Sequence, residues 1–152
     1  MASLFPQGDK PIGLASDHAG YAIKKYIIDL FDEQGIKYID FGAYSTESVD
    51  YPDFAHKLGT VIDNNECQYG IAVCGTGNGI NMALNKHQSV RSALCWNAEV
   101  ARLARAHNNA NILTLPGRLI SQKEAYDMII AFFNTDFEGG RHQRRIDKIP
   151  CI

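Results

Sequence analysis

This sequence predicts an α/β fold of three layers, a five-stranded parallel sheet with helices on both faces. Three observations carry the prediction. Short apolar runs alternate with stretches of helical apolar spacing along most of the chain, the pattern that builds βαβ units. Five such runs can be counted, with no internal repeat or low-complexity tract between them. The length of 152 residues suits one domain around one core.

The elements follow in order. Residues 1–10 form a lead expected to be mobile, and residues 11–152 form the single domain. Pro11–Ser16 is a first strand, and Asp17-His-Ala-Gly20 supplies turn and N-cap chemistry. Ile23, Tyr26, Ile27, Leu30 and Phe31 then recur at helical spacing until Gly35. Ile36–Phe41 is a second strand, residues 42–50 a polar loop, and Tyr51-Pro52 opens a helix with proline in its first turn. Phe54, Leu58, Val61 and Ile62 form that helix's buried stripe. A third strand, residues 69–74, runs into alternating glycines and a helix reaching about Lys86. Val90–Cys95 is a fourth strand, Ala98–His107 a helix and Asn111–Leu115 a fifth strand. The helix Ser121–Phe133 turns Ala125, Met128, Ile129, Phe132 and Phe133 inward, and Gly139-Gly140 precedes a short terminal helix. Right-handed crossovers leave few topologies for this succession, and the Rossmann-like, flavodoxin-like order 2-1-3-4-5 is expected.

Composition excludes several classes. A formal net charge of −2 and a pI near 6.2 argue against nucleic acid or an anionic membrane as partner. No apolar run approaches the roughly 18–20 residues of a membrane span, and the start lacks the pattern of a secretory signal. The four cysteines, at 67, 74, 95 and 151, form no C-x-x-C pair and read as reduced thiols of a cytoplasmic protein, with no metal site.

In a sheet of this kind ligands bind outside the carboxyl ends of the strands, where the winding reverses, here between the first and third strands. The loops leaving those ends are Asp17-His18 and Cys74-Gly-Thr-Gly-Asn-Gly79. A free cysteine at a strand end is most often a small buried hydrophobe. Here Gly75, Gly77 and Gly79 permit close approach of a ligand, and the following helix aims its positive end at the loop, an environment that suits a base or nucleophile. The spacing is not G-x-G-x-x-G after a first strand, nor a Walker loop, so NAD and ATP are not expected. Asp17 and His18 read either as cap and surface imidazole or as groups for a sugar hydroxyl or phosphate. His107 follows a helix that runs antiparallel to the strands. It should therefore lie at the opposite sheet edge from Cys74, either as an ordinary helix-end histidine or as part of a second subunit's site. Arg141 and Arg145, spaced i,i+4, share a helix face that is either solvated surface or a grip for one phosphate.

Taken together, Ser16-Asp-His-Ala-Gly20, Asp50-Tyr-Pro52, Cys74–Gly79, Asn85-Lys86, His107-Asn108 and Glu138-Gly-Gly-Arg-His-Gln-Arg-Arg145 closely resemble the B-type ribose-5-phosphate isomerases, in the same order over residues 11–149. These belong to a wider group that includes galactose-6-phosphate isomerase subunits. The resemblance implies interconversion of D-ribose 5-phosphate and D-ribulose 5-phosphate, in the non-oxidative pentose phosphate pathway, without metal or organic cofactor. It gives Cys74 the role of base moving a proton between C2 and C1. The amides of Gly75, Thr76, Gly77, Asn78 and Gly79 would hold the enediolate oxygen, and Thr76 would shuttle a proton between the two oxygens. His107 would open the furanose ring, with Asp17 as helper. Asn108 and Tyr51 would orient hydroxyls, and His18, Arg118, Arg141 and Arg145 would hold the phosphate. It also implies a homodimer or tetramer with shared sites, the C-terminal helix reaching the partner. Two alternatives stand beside it: an isomerase of a six-carbon sugar phosphate such as allose or galactose 6-phosphate, and a non-catalytic sugar-phosphate sensor.

Overall fold

A computed structural model describes residues 9–151; residues 1–8 of the expected lead lie outside the described residues. The elements are β1 (Ile12–Ser16), α1 (Tyr21–Gln34), β2 (Tyr38–Asp40), α2 (Tyr51–Asp63), β3 (Gly70–Cys74), α3 (Asn78–Leu84), β4 (Ser92–Leu94), α4 (Ala98–Asn108), β5 (Ile112–Pro116), α5 (Gln122–Phe133) and α6 (Arg141–Ile146). All strand pairs are parallel, as expected.

The order is β2-β1-β3-β5-β4, which corrects the expected 2-1-3-4-5: the last two strands exchange places. Burial explains the exchange. All five residues of β5, Ile-Leu-Thr-Leu-Pro, are buried, whereas β4 has three residues, each only half-buried. A continuous apolar strand belongs where both faces are covered, and a short, partly wetted one suits an edge. Strands β2 and β4 are also shorter than the apolar runs that announced them, each pairing with only three residues of its neighbour.

A constant crossover hand then assigns the helices. Steps from β1 to β2 and from β4 to β5 run one way across the sheet, and those from β2 to β3 and from β3 to β4 run the other way. Accordingly α1 and α4, joined by α5, bury Ile27, Phe31, Ala101, Met128 and Phe132 against Leu14, Val73 and Leu115 on one face. Helices α2 and α3 bury Leu58, Val61, Ile80 and Leu84 against Ala15, Ala72 and Ile112 on the other. Two local signals, at Gly35 and Pro52, held as read, and a capping box at Ser121 joins them. Gly35 closes α1 in the left-handed conformation at φ 68°. Pro52 sits in the first turn of α2. Ser121 caps α5, accepting from Glu124 N–H while the Glu124 carboxylate accepts from Ser121 N–H.

Among the ends that differ from expectation, two have a clear local cause. Asp17 is not the N-cap of α1; Gly20 occupies that position, and Asp17 Oδ1 accepts from Gly20 N–H at 3.0 Å in the preceding turn. Helix α4 runs one residue further, through Asn108, because Asn109 adopts φ 47° and closes it there.

Candidate active site

The exchange of strands decides which loops meet. Because β5 pairs with β3, with Cys74 opposite Pro116, the loop after β5 lies against the glycine loop. Gly117 N–H donates to Cys74 O at 2.8 Å and Arg118 N–H to Gly75 O at 3.0 Å. The Arg118 side chain then crosses the bare face of Gly75, where an added Cβ would lie 3.3 Å from Nη1. On the other side of β3, Asp17 N–H donates to Val73 O at 3.3 Å. Cys74 is thus flanked by Asp17 and Arg118.

The pleat gives Cys74 the face of Ala72, toward α2 and α3. Two glycines above it are required by contact. Gly77 has φ 79°, and a Cβ there would stand 2.4 Å from Leu94 Cδ1. Gly79 carries the ring of Tyr51, and a Cβ would lie 2.5 Å from its Cζ. Tyr51 and the start of α3 are thereby brought into one crevice. Thr76 is exposed, its Oγ1 accepting from Asn78 N–H at 3.3 Å.

His18 Nδ1 accepts from Val49 N–H at 3.2 Å. An imidazole that accepts at Nδ1 in its neutral form carries its proton on Nε2, which leaves a donor for a ligand. That contact depends on the 42–50 loop, and the loop is held by a residue that sequence reasoning missed. Lys24 projects from α1 with its side chain 1% exposed, and its Nζ donates to Asp40 Oδ1 at 2.6 Å and Ala43 O at 2.5 Å. Gly42 O and Ala43 N–H bond in turn to Ser16. Burial lowers the Lys24 pKa, and the hydrogen bond and charge of Asp40 oppose that shift. Replacing Lys24 with methionine leaves the Asp40 carboxylate only its bond from Gly42 N–H and takes the ammonium from the Ala43 carbonyl. It should cost about 2–4 kcal/mol, read as a lower urea midpoint with an unchanged m-value; a loss below about 0.5 kcal/mol would mean the tether holds nothing.

The remaining predicted residues lie elsewhere. His107 and Asn108 end α4, before β5 begins, and Arg141 and Arg145 lie exposed on α6, which packs on α4. The His107 ring stacks on His142, centroids 4.3 Å apart and planes 12° from parallel. Glu138 approaches both, 3.8 Å from His107 Nε2 and 3.6 Å from His142 Nε2. Burial lowers the His142 pKa, with Arg141 and His107 adding to the effect. These three donor groups gather within 4.8 Å. Yet near-parallel rings send their in-plane lone pairs side by side instead of toward one point, which a tetrahedral metal would need. The structure therefore divides the predicted residues between two ends of the sheet, Asp17, His18, Tyr51, Cys74–Gly79 and Arg118 at one, His107, Asn108, Arg141 and Arg145 at the other. Of the other thiols, burial pushes Cys67 up to about 11 and Cys95 to about 12, which keeps both protonated at neutral pH.

A parallel sheet with a thiol, a glycine loop, a guanidinium and a tyrosine gathered outside its strand ends is the ligand crevice of an α/β enzyme. The family model described as Ribose/Galactose Isomerase matches residues 12–149, and the chain belongs to that family of isomerases. A Rickettsia conorii relative bearing the broader name of a sugar phosphate isomerase is 44% identical over 138 residues, covering 91% of this chain and 96% of its own. The crystal structure of a Thermotoga maritima ribose 5-phosphate isomerase superimposes with a TM-score of 0.92 at 48% identity, covering 95% of this chain and all of the other. The B-type enzyme of Mycoplasma genitalium, solved with bound ribulose-5-phosphate, gives 0.88 at 41% identity, covering 94% and 95%. No helix among the described residues is long and apolar enough to cross a membrane.

Proposed function

We propose that this chain interconverts D-ribose 5-phosphate and D-ribulose 5-phosphate in the cytoplasm, as part of the non-oxidative pentose phosphate pathway. The observation that carries the reading is the convergence of Cys74, the glycine loop, Tyr51, Asp17 and Arg118 at one end of β3. Cys74 thiolate takes the C2 proton of the open-chain aldose and returns it to C1. The charge that develops on the carbonyl oxygen falls to the amides from Gly75 to Gly79, donors fixed before the reaction starts. Thr76 passes a proton between the two oxygens, and Tyr51 orients a hydroxyl.

Ring opening and the rest of the phosphate grip belong in this reading to a neighbouring subunit. Its last turn of α4 and its α6 bring His107, Asn108, Arg141 and Arg145 to the crevice, where His18 and Arg118 complete the phosphate site. Asp17 has one oxygen occupied by Gly20 N–H, leaving the other to assist at the ring oxygen. The domain is then one half of two sites in a homodimer, or in a tetramer built of such dimers.

Turnover on ribose 5-phosphate compared with allose and galactose 6-phosphates tests the substrate. The pentose ester should be preferred in kcat/KM by at least about tenfold, the scale of one misfitted carbon unit. A preference for a six-carbon ester would move the chain to the other branch of its family.

A further inference from the structure

At the end of the sheet opposite the crevice, an open cavity of about 300 Å³ lies beneath the starts of β3 and β5. Two guanidiniums line it, Arg91 and Arg105. Arg105 is 8% exposed and rests on the rings of Tyr69 and Phe132, its guanidinium carbon 5.2 and 5.8 Å from their centroids. Its Nη1 donates to Asn109 Oδ1 at 2.9 Å and Ala110 O at 2.6 Å, and its Nη2 to the Tyr69 hydroxyl at 3.5 Å. Arg91 Nε donates to Asn109 O at 3.1 Å, and its backbone N–H to Asn111 Oδ1 at 2.8 Å.

Every one of these acceptors is neutral. Among the described residues neither arginine takes part in an ion pair. The carboxylate that lines the cavity, Asp63, is engaged elsewhere: Oδ1 accepts from Ser89 N–H and Oδ2 from the His87 ring, both at 2.9 Å. Burial, and then the charge of Arg105, lower the pKa of Arg91, but a guanidinium so placed stays protonated. Two like charges sharing Asn109, with no ion-pair partner among the described residues, are a standing cost that a bound anion lowers.

We propose that this cavity binds a phosphate-type oxyanion, distinct from the phosphate of the substrate. Arg91 presents its Nη hydrogens from a guanidinium already oriented through Nε, the fork geometry that phosphate oxygens match. The amides of Asn65 and Gln68 supply further neutral donors on the lining. The cavity is large enough for the head of a phosphate monoester as well as the free ion. Occupancy would also bear on the reaction. Both arginines hold Asn109, the residue after the turn that presents His107 and Asn108, so an anion bridging them clamps that turn. The assignment of the cavity does not rest on the isomerase reading.

The test is a titration of the full chain with sodium phosphate at constant ionic strength, followed by arginine Nε–H signals in nitrogen-15 spectra. Arg91 and Arg105 should shift together along one saturating curve, also in an Arg118→Ala variant. Arg91→Met should weaken that curve by about tenfold or more, the scale of one lost charge-assisted pair. Arg91→Lys should weaken it less. Glycerol phosphate binding more tightly than inorganic phosphate would assign the site to a phosphate ester, and the reverse order to the free ion. If chloride at equal ionic strength produced the same shifts, or phosphate moved only the crevice arginines, the site would not exist.

Discussion

Replacing Cys74 with alanine is expected to lower isomerase turnover by about 10³-fold, the scale of a lost general base. Binding of a sugar phosphate should stay within about twofold, because the change removes a group that acts on the transition state and not one that grips the substrate. The thiol sits at the carboxyl end of β3, between Asp17 and Arg118, while Cys67 and Cys95 are buried thiols held protonated near 11 and 12. Neither can take over as a base. The substitution is small and at a 5%-exposed position, so it should cost about 1 kcal/mol or less in stability. The measurement is exchange of the substrate C2 hydrogen with solvent, alongside calorimetric binding. Exchange at the wild-type rate in Cys74→Ala would remove Cys74 from the reaction and leave the glycine loop as a binding element alone.

The second large effect is a recovery of activity. Cys74→Ala and His107→Ala chains, each inactive alone, should regain roughly a quarter of wild-type activity when unfolded and refolded together in equal amounts. Random pairing makes half of the dimers mixed, and each mixed dimer has one site of two with both groups intact. The physical ground is the distance along the sheet. Cys74 stands opposite Pro116, at the end of β5, while His107 precedes Ile112, at its start. Four strand steps separate those ends, on the order of 13 Å, and no side chain of this chain spans it. If the mixture stayed inactive while mixed dimers were shown to form, each site would be built from a single chain and His107 would not belong to it.

Much of the crevice could be read in advance because its signals are local. The alternating glycines after an apolar strand and the proline after Tyr51 each act within a few residues. The antiparallel run of α4 was enough to separate His107 from Cys74. Lys24 was overlooked although its position was legible: it stands three residues before Ile27 and seven before Phe31, on the buried stripe. A lysine on such a stripe must find partners, but which ones, Asp40 and Ala43, depends on a loop that folds back from another strand. Glu138 and His142, spaced i,i+4, form a pair in sequence, and only the packing of α6 on α4 brings that pair to His107.

By itself the sequence determined the number of strands, their parallel sense, the faces of the helices and the thiol-bearing loop. These follow from apolar periodicity, capping and chirality, which operate within one βαβ unit. The tertiary structure alone decided the order of the last two strands, since that is a competition for burial between segments distant in the chain. That exchange seats β5 beside β3 and lays Arg118 across Gly75. Had β4 taken the place, the loop beginning at Cys95 would adjoin Cys74, and Arg118 would stand one strand away from the thiol.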